Sequence, residues 1–210
     1  MATNLLLIAQ MMMAVAGYYV LRGLTRRTIG QIKTLPLALI IAGFFTANWL
    51  ILDKTWYYLI TVNSITLLII LILIIEFKES HLNDNIFLGL AALGVTYHYL
   101  NNFEIWNLIL MPLLNFCVAY ITNTISKIFF NRHLFNQHDI KMITVSGFFL
   151  TIENVAFFYL MSVFFAILTA LYWNERRLSM NPPLTASLAM SLYCLCLFGT
   201  KLDLSNLTLI

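Results

Sequence analysis

Charged side chains in this 210-residue chain are scarce, and nearly all of them crowd into short gaps between long apolar runs. Only 10% of residues are charged and the mean hydropathy is +0.86, whereas a soluble domain carries about 25% charged residues. The runs are continuous rather than alternating. Several approach the roughly 20 residues that take a helix across a bilayer. Continuous apolarity argues against a membrane barrel, whose strands alternate between lipid and lumen. Backbone polar groups in lipid must be bonded within their own segment, which leaves helices. The expected fold is therefore all-α: a polytopic membrane helical bundle forming a single transmembrane domain over 1–210.

The apolar runs place the spans. The first covers about Asn4 to Val20, followed by a basic gap with Arg22, Arg26, Arg27 and Lys33. Its positive charge follows the run instead of preceding it, so it reads as a retained span with its N-terminus outside, not as a cleaved signal. Span two runs from Thr34 to Leu52, with Pro36 in the first turn where proline is tolerated. The turn Asp53-Lys54-Thr55 leads to span three, Trp56 to Ile75. Span four, Ile86 to Leu100, is short. Span five covers Ile105 to Ser126, with a kink expected at Pro112. The stretch from Met142 to Trp173 is too long for one span and is interrupted at Glu153-Asn154. It splits into a short span six, short enough to be half-embedded, and a longer span seven. Span eight runs from Leu184 to Gly199.

About eight spans with both termini outside put every Lys and Arg inside except Lys54 and Lys201. Merging spans six and seven would send Arg176 and Arg177 to the far side, so the bias of basic residues toward the cytoplasm favours the split. The net charge is only +3, without a basic stripe interleaved with aromatics, and nucleic acid is not an expected partner. The expected partner is the lipid bilayer. Cys117, Cys194 and Cys196 sit inside apolar runs without a CxxC spacing. They read as small buried hydrophobes and offer no zinc site. No metal or other cofactor is implied. Tyr97-His98-Tyr99 and Trp56-Tyr57-Tyr58 read as interfacial aromatics, and Glu153 as the cap of an outside turn.

Carboxylates near the membrane interface are costly unless they stay wet or serve a purpose. The topology places Glu76, Glu79, Asp84, Asp139 and Glu175 inside. Glu76 ends span three and Asp139 stands at the mouth of span six. Two spans lie between them, so they share a side. Two carboxyl groups sharing one proton can activate water, because like charges in contact cannot both ionise. The alternative is a pair of ordinary interfacial charges. Asp53 also ends an apolar run, but three spans separate it from Asp139, which puts the two on opposite sides.

From about Leu68 to Leu195 the chain resembles the type IV prepilin peptidases, polytopic aspartic endopeptidases of bacterial and archaeal membranes. Three segments carry the resemblance. IIEFKESHLNDNIFLGLAALG is similar to the family's span-ending Asp, basic stretch and Ile-Pro-Asn, with Glu76 at the acid and Leu82-Asn83-Asp84 at the tripeptide. NQHDIKMITVSGFFL is similar to Gly-x-Gly-Asp-(Val/Ile)-Lys-Leu: Asp139, Ile140 and Lys141 match, and Asn136 and His138 stand at the glycines. NPPLTASLAM resembles the proline-containing lead into the last span, and AVAGYYVLRGLTRR the end of the first. Asp53 is the alternative first acid, at a spacing too long for the family.

The resemblance implies Glu76 and Asp139 as the catalytic acids, with Lys141 and His138 in support. It implies a precursor substrate with a short basic leader and an apolar helix, and a place in the bacterial inner membrane in pilus assembly or protein secretion. The departures have physical consequences. Glutamate places its carboxyl group more than about 1 Å from an aspartate's, where active sites tolerate about 0.5 Å. Losing both glycines removes backbone freedom beside Asp139, and His138 adds a group that titrates near neutral pH. They open a second reading, a homologue without turnover that binds or scaffolds transmembrane helices. The cysteine-bearing insert of longer, methylating members has no counterpart in the short gap after span one. A small transporter is a third possibility, which the absence of a charged path through mid-membrane positions disfavours.

Overall fold

Apolar runs of this length fold as helices, and a computed structural model of the chain contains only helices and their connections among the residues it describes: 11–23, 34–52, 55–77, 82–175 and 184–198. Side chains at 34–35 and 173–175 are outside that description. So are Asp53, the basic gap from Arg26 to Lys33, Lys78, Arg176 and Arg177, and therefore much of the charge pattern behind the expected sidedness. The chain forms two compact units, Met1–His81 and Leu82–Ile210.

The first unit holds α1, helical over 11–23, α2 (Thr34–Ile51) and α3 (Trp56–Phe77). Gly17 of α1 lies against the Leu67 side chain of α3, close enough that a Cβ would sit 2.8 Å from its Cδ2. Helices in lipid gain little from apolar contact alone and are joined by close packing and polar pairs. The pair α2–α3 uses the second device. Asn48 Nδ2 donates to Asn63 Oδ1 at 2.8 Å and to Thr66 Oγ1 at 3.0 Å. Thr66 in turn donates to the Val62 carbonyl. All three side chains are buried.

The second unit holds α4 (Asp84–Leu100), α5 (Ile105–Phe130), α6 (Gln137–Ser146), a 3-10 turn (Gly147–Phe149), α7 (Val155–Glu175) and α8 (Leu184–Phe198). The bounds of α2, α3, α4 and α8 lie within two residues of those expected from the apolar runs. Helix α5 continues four residues past the expected Ser126, because Ser126, Lys127 and the apolar Ile128-Phe129-Phe130 do not stop a helix. Among the described residues, three helices are long and apolar enough to cross a membrane: α3, α5 and α7. In α5 and α7, only 22% and 11% of the apolar window is buried. A helix that is apolar all round and also exposed is stable in lipid, not in water.

Helix α8 docks on α7 through a run of small residues, Thr185, Ala186, Ser187, Ala189 and Ser191, all buried. Small side chains allow two helices to approach closely without a hydrophobic driving force. The Thr169 and Ser187 hydroxyls meet across this contact at 3.1 Å.

The stretch expected to split does so, at Leu150–Asn154. Helix α6 begins five residues earlier than the expected Met142, at Gln137, and has only 10 residues. At 1.5 Å per residue it is about 15 Å long, half of a hydrocarbon layer of about 30 Å. It does not cross a membrane by itself. Several backbone groups at its end have partners. Asn115 of α5 donates to the Ile143 carbonyl at 3.0 Å, and the Gly147 N–H reaches the Thr144 and Val145 carbonyls. Leu150 N–H donates to the Gly147 carbonyl. Tyr159 of α7 donates to Asn115 Oδ1 at 2.9 Å. At the start of α7, Asn154 Oδ1 accepts from the Thr151 N–H. Glu153 is exposed, and the Asn154 side chain closes the turn that holds it.

The 3-10 turn is wedged between α4 and α5. A Cβ on Gly147 would fall 2.5 Å from the Pro112 nitrogen and Cα, and one on Gly94 would fall 2.7 Å from the Phe148 Cβ. Gly147 has an ordinary helical φ of −56°, so space and not backbone freedom requires glycine. Gly147→Ala should therefore destabilise the protein by at least the roughly 1–3 kcal/mol of core overpacking, since backbone cannot swing aside. Gly43→Ala, with nothing within 4 Å, should leave the detergent-solubilised melting temperature unchanged or slightly raised. Equal melting temperatures for the two variants would refute the wedge.

Candidate functional site

Asp139 is the third residue of α6 and is 3% exposed. Its position comes from a capping box. Asn136, extended at φ −79° and ψ 174°, accepts the Asp139 N–H on its side chain at 2.8 Å. The Asp139 Oδ2 accepts the Asn136 N–H at 3.0 Å. Asparagine is among the best residues for that role and aspartate completes the reciprocal bond. Where the resemblance has glycine, this chain has a capping residue in a conformation open to any amino acid.

The other carboxyl oxygen serves a second helix. Thr185, one residue into α8, donates its hydroxyl to Asp139 Oδ1 at 2.6 Å, and its backbone N–H also bonds the carboxyl group. A carboxylate at a helix N-terminus meets unsatisfied N–H groups and the positive end of the helix dipole. One side chain thus secures the starts of α6 and α8. Thr185 lies in the quoted NPPLTASLAM segment, yet sequence reasoning does not single it out. Its only signal is a hydroxyl at the entry to an apolar run after two prolines.

Asp139 precedes the apolar run that begins at Met142, outside the spanning segments. Burial pushes its carboxyl group above the usual carboxylate range. The Thr185 hydroxyl, the backbone N–H groups of Asn136 and Thr185, and the charge of nearby His138 all pull in the opposite direction, and burial wins.

The supporting residues are placed by the same packing. Lys141, two residues after Asp139, bonds Asp84 Oδ1 of α4 at 2.6 Å. Asp84 opens α4, just after its cap Asn83, where a negative charge also suits the helix dipole. The pair is partly exposed, so its contribution to stability is small, about 0–1 kcal/mol. The His138 ring lies nearly parallel to Phe87 of α4, with centroids 6.2 Å apart. Glu76 is the penultimate residue of α3, half-buried, in the first unit.

Among the described residues no three His, Cys, Asp or Glu side chains gather as a metal site. Of the cysteines expected to be buried, Cys196 is buried, Cys194 half-buried and Cys117 exposed, because the α5 face carrying Cys117 points outward. Tyr97 and His98 are core residues, packed on Phe149 and Phe103, and only Tyr99 is exposed. The His98 Nε2 is bonded to the Glu104 carbonyl at 2.9 Å, which closes the α4–α5 turn. No family model, no curated protein and no solved structure matches the chain.

A native carboxyl that titrates above its unfolded value retains its proton where the unfolded chain has released it. Stability is then greatest below about pH 4 and falls as pH rises through the native titration. Asp139→Asn should flatten that fall. Thr185→Val, which removes a bond made mainly to the ionised form, should cost about 1–3 kcal/mol and cost more at pH 8 than at pH 4. Thermal unfolding of the detergent-solubilised variants across this range checks both. A Thr185→Val deficit independent of pH would show that the hydroxyl does not serve the carboxylate.

Proposed function

We propose that the protein is a membrane aspartic endopeptidase of the prepilin-peptidase type. It removes a short basic leader from a precursor with an apolar helix, at the cytoplasmic face of a bacterial inner membrane. One observation carries the reading: residues from all three segments of the resemblance are bonded to or lie on α6 in the second unit. Asp84 from the first holds Lys141 from the second, and Thr185 from the third holds Asp139. Asp139 is a buried carboxyl with a raised titration, the property expected of a group that must remain protonated to act as an acid.

Asp139 is then the acid and Glu76 the base. The ionised carboxylate takes a proton from water as its oxygen attacks the scissile carbonyl. The protonated one gives its proton to the departing amine as the C–N bond breaks. The bundle topology, with α6 half-embedded and the leader and both acids on the cytoplasmic side, belongs to this proposal.

A second reading has an observation of its own. Both Asp139 oxygens already accept the bonds that start α6 and α8. The residue therefore has a structural task whether or not turnover occurs, and a non-catalytic protein that binds transmembrane helices would retain it. Incubating purified protein with a prepilin-like precursor separates the readings. Glu76→Gln and Asp139→Asn should each abolish cleavage, by on the order of 100-fold or more, as loss of an acid or base does. Cleavage by the wild type that survives both substitutions overturns the two-carboxyl mechanism. Stable co-purification of the precursor without cleavage favours the scaffold.

A further inference from the structure

The C-terminal end of α5 is built unlike a segment that stops at the edge of the apolar layer. The helix has 26 residues, about 39 Å, whereas roughly 20 residues cross the hydrocarbon. Trp106, exposed at the start of α5, is the kind of side chain that marks a membrane interface. Counting one crossing from there reaches Ser126. The next turn, Lys127 to Phe130, lies at the opposite interface.

That turn is both apolar and basic. Ile128, Phe129 and Phe130 are 72%, 76% and 75% exposed, and Leu134 in the following loop is also exposed. Lys127, Arg132 and His133 are exposed among them. From Ile105 to His138 the sequence has no Asp or Glu, and the next acid, Asp139, is buried with its oxygens bonded. The loop is also ordered. Asn131 ends the helix in the left-handed region at φ 53°, a conformation asparagine tolerates. The Ser126 hydroxyl then donates to the Arg132 carbonyl at 3.0 Å, and the Phe135 N–H to Asn123 Oδ1 at 3.0 Å. These bonds fold 131–135 back along the last two turns of α5 and hold the Arg132 backbone against Ser126, the residue before Lys127.

We propose that this end of α5 is a binding site for the headgroups of anionic phospholipids. Phe129, Phe130 and Ile128 insert at the acyl boundary, and Lys127 and Arg132 contact the phosphate. The inference rests on the reading of α5 as a membrane span. Neutral water would be a poor environment for three consecutive exposed apolar side chains. A zwitterionic surface would satisfy them but carries no net negative charge to draw in the basic pair. Basic residues near an anionic leaflet are each favoured there, and the attraction weakens with salt.

The test uses the full-length protein in neutral detergent, titrated with short-chain phosphatidylglycerol, phosphatidylcholine or inorganic phosphate, with bound lipid counted by native mass spectrometry. Phosphatidylglycerol should be retained in preference to phosphatidylcholine, and inorganic phosphate should not compete at equal concentration. Lys127→Gln/Arg132→Gln should weaken phosphatidylglycerol retention by on the order of tenfold, and Lys127→Arg/Arg132→Lys should restore it. Phe129→Ser/Phe130→Ser should weaken retention of both lipids. Equal retention of phosphatidylglycerol by wild type and the double Gln variant overturns the proposal, as does displacement by phosphate alone. Incorporation into phosphatidylcholine vesicles, followed by flotation, is the separate check on α5 as a span. A protein that inserts there but shows no anionic preference is still a membrane protein without this site.

Discussion

A chain that leaves its helix within an apolar layer frees N–H and C=O groups that no water is present to receive, and each must find a partner in the protein. Burial imposes the same demand on the second unit. At the break between α6 and α7, Asn115 and Ser146 take the Ile143 carbonyl, and Gly147 takes those of Thr144 and Val145. Asn154 takes the Thr151 N–H. Asn115 reaches α6 because the 3-10 turn is pressed onto α5 at Pro112, and that approach is open only because residue 147 lacks a side chain. Pro112 has no N–H to contribute to its own helix. The tight contact therefore falls where α5 has least backbone bonding to lose.

The same constraint acts at the other end of α6, with a different solution. Helix starts present N–H groups, and a carboxylate satisfies them better than a neutral acceptor. Asp139 meets two such starts at once, those of α6 and α8. Ionisation strengthens those bonds but is opposed by burial, and the balance leaves its titration raised. Burial and the hydrogen-bond donors thus act on its charge with opposite sign, and burial is the larger. A structural cap fully exposed to solvent would have no such balance, and a carboxyl buried without donors would remain neutral throughout.

Helix positions were largely readable because in this chain a gap in apolarity is also a gap in helix. The ends of α2, α3 and α8 follow directly from where Leu, Ile and Phe give way to polar residues. Where the two signals part, sequence reading errs. Helix α6 starts at Gln137 and not at Met142, since Asn136 and Asp139 form a capping box and capping, not hydropathy, sets a helix start. The N-x-x-D spacing is visible in the sequence, but it is obscured by attention to Asp139 as an acid. The role of Asn115 was not legible at all. Its partner, the Ile143 carbonyl, is backbone, and nothing in a sequence marks which carbonyl will be left over. The bonds of Thr185 and Asp84 were not legible for a related reason, because each joins residues far apart in the sequence.

The charge pattern and the cap geometry bear on Asp139 from different directions, and together they limit what its loss can mean. A substitution that removes the carboxyl group removes a titrating acid and two helix caps at once, so loss of activity alone does not distinguish chemistry from folding. Glu76 differs in place: it follows the apolar run of α3 as the penultimate residue of the helix, a position where negative charge is disfavoured by the helix dipole. Its charge there calls for a compensating reason. Interfacial solvation is one such reason and a role in proton transfer is another. The second predicts that glutamine, of the same shape and without the charge, preserves the fold of the first unit while abolishing activity, an outcome that Asp139→Asn cannot deliver as cleanly.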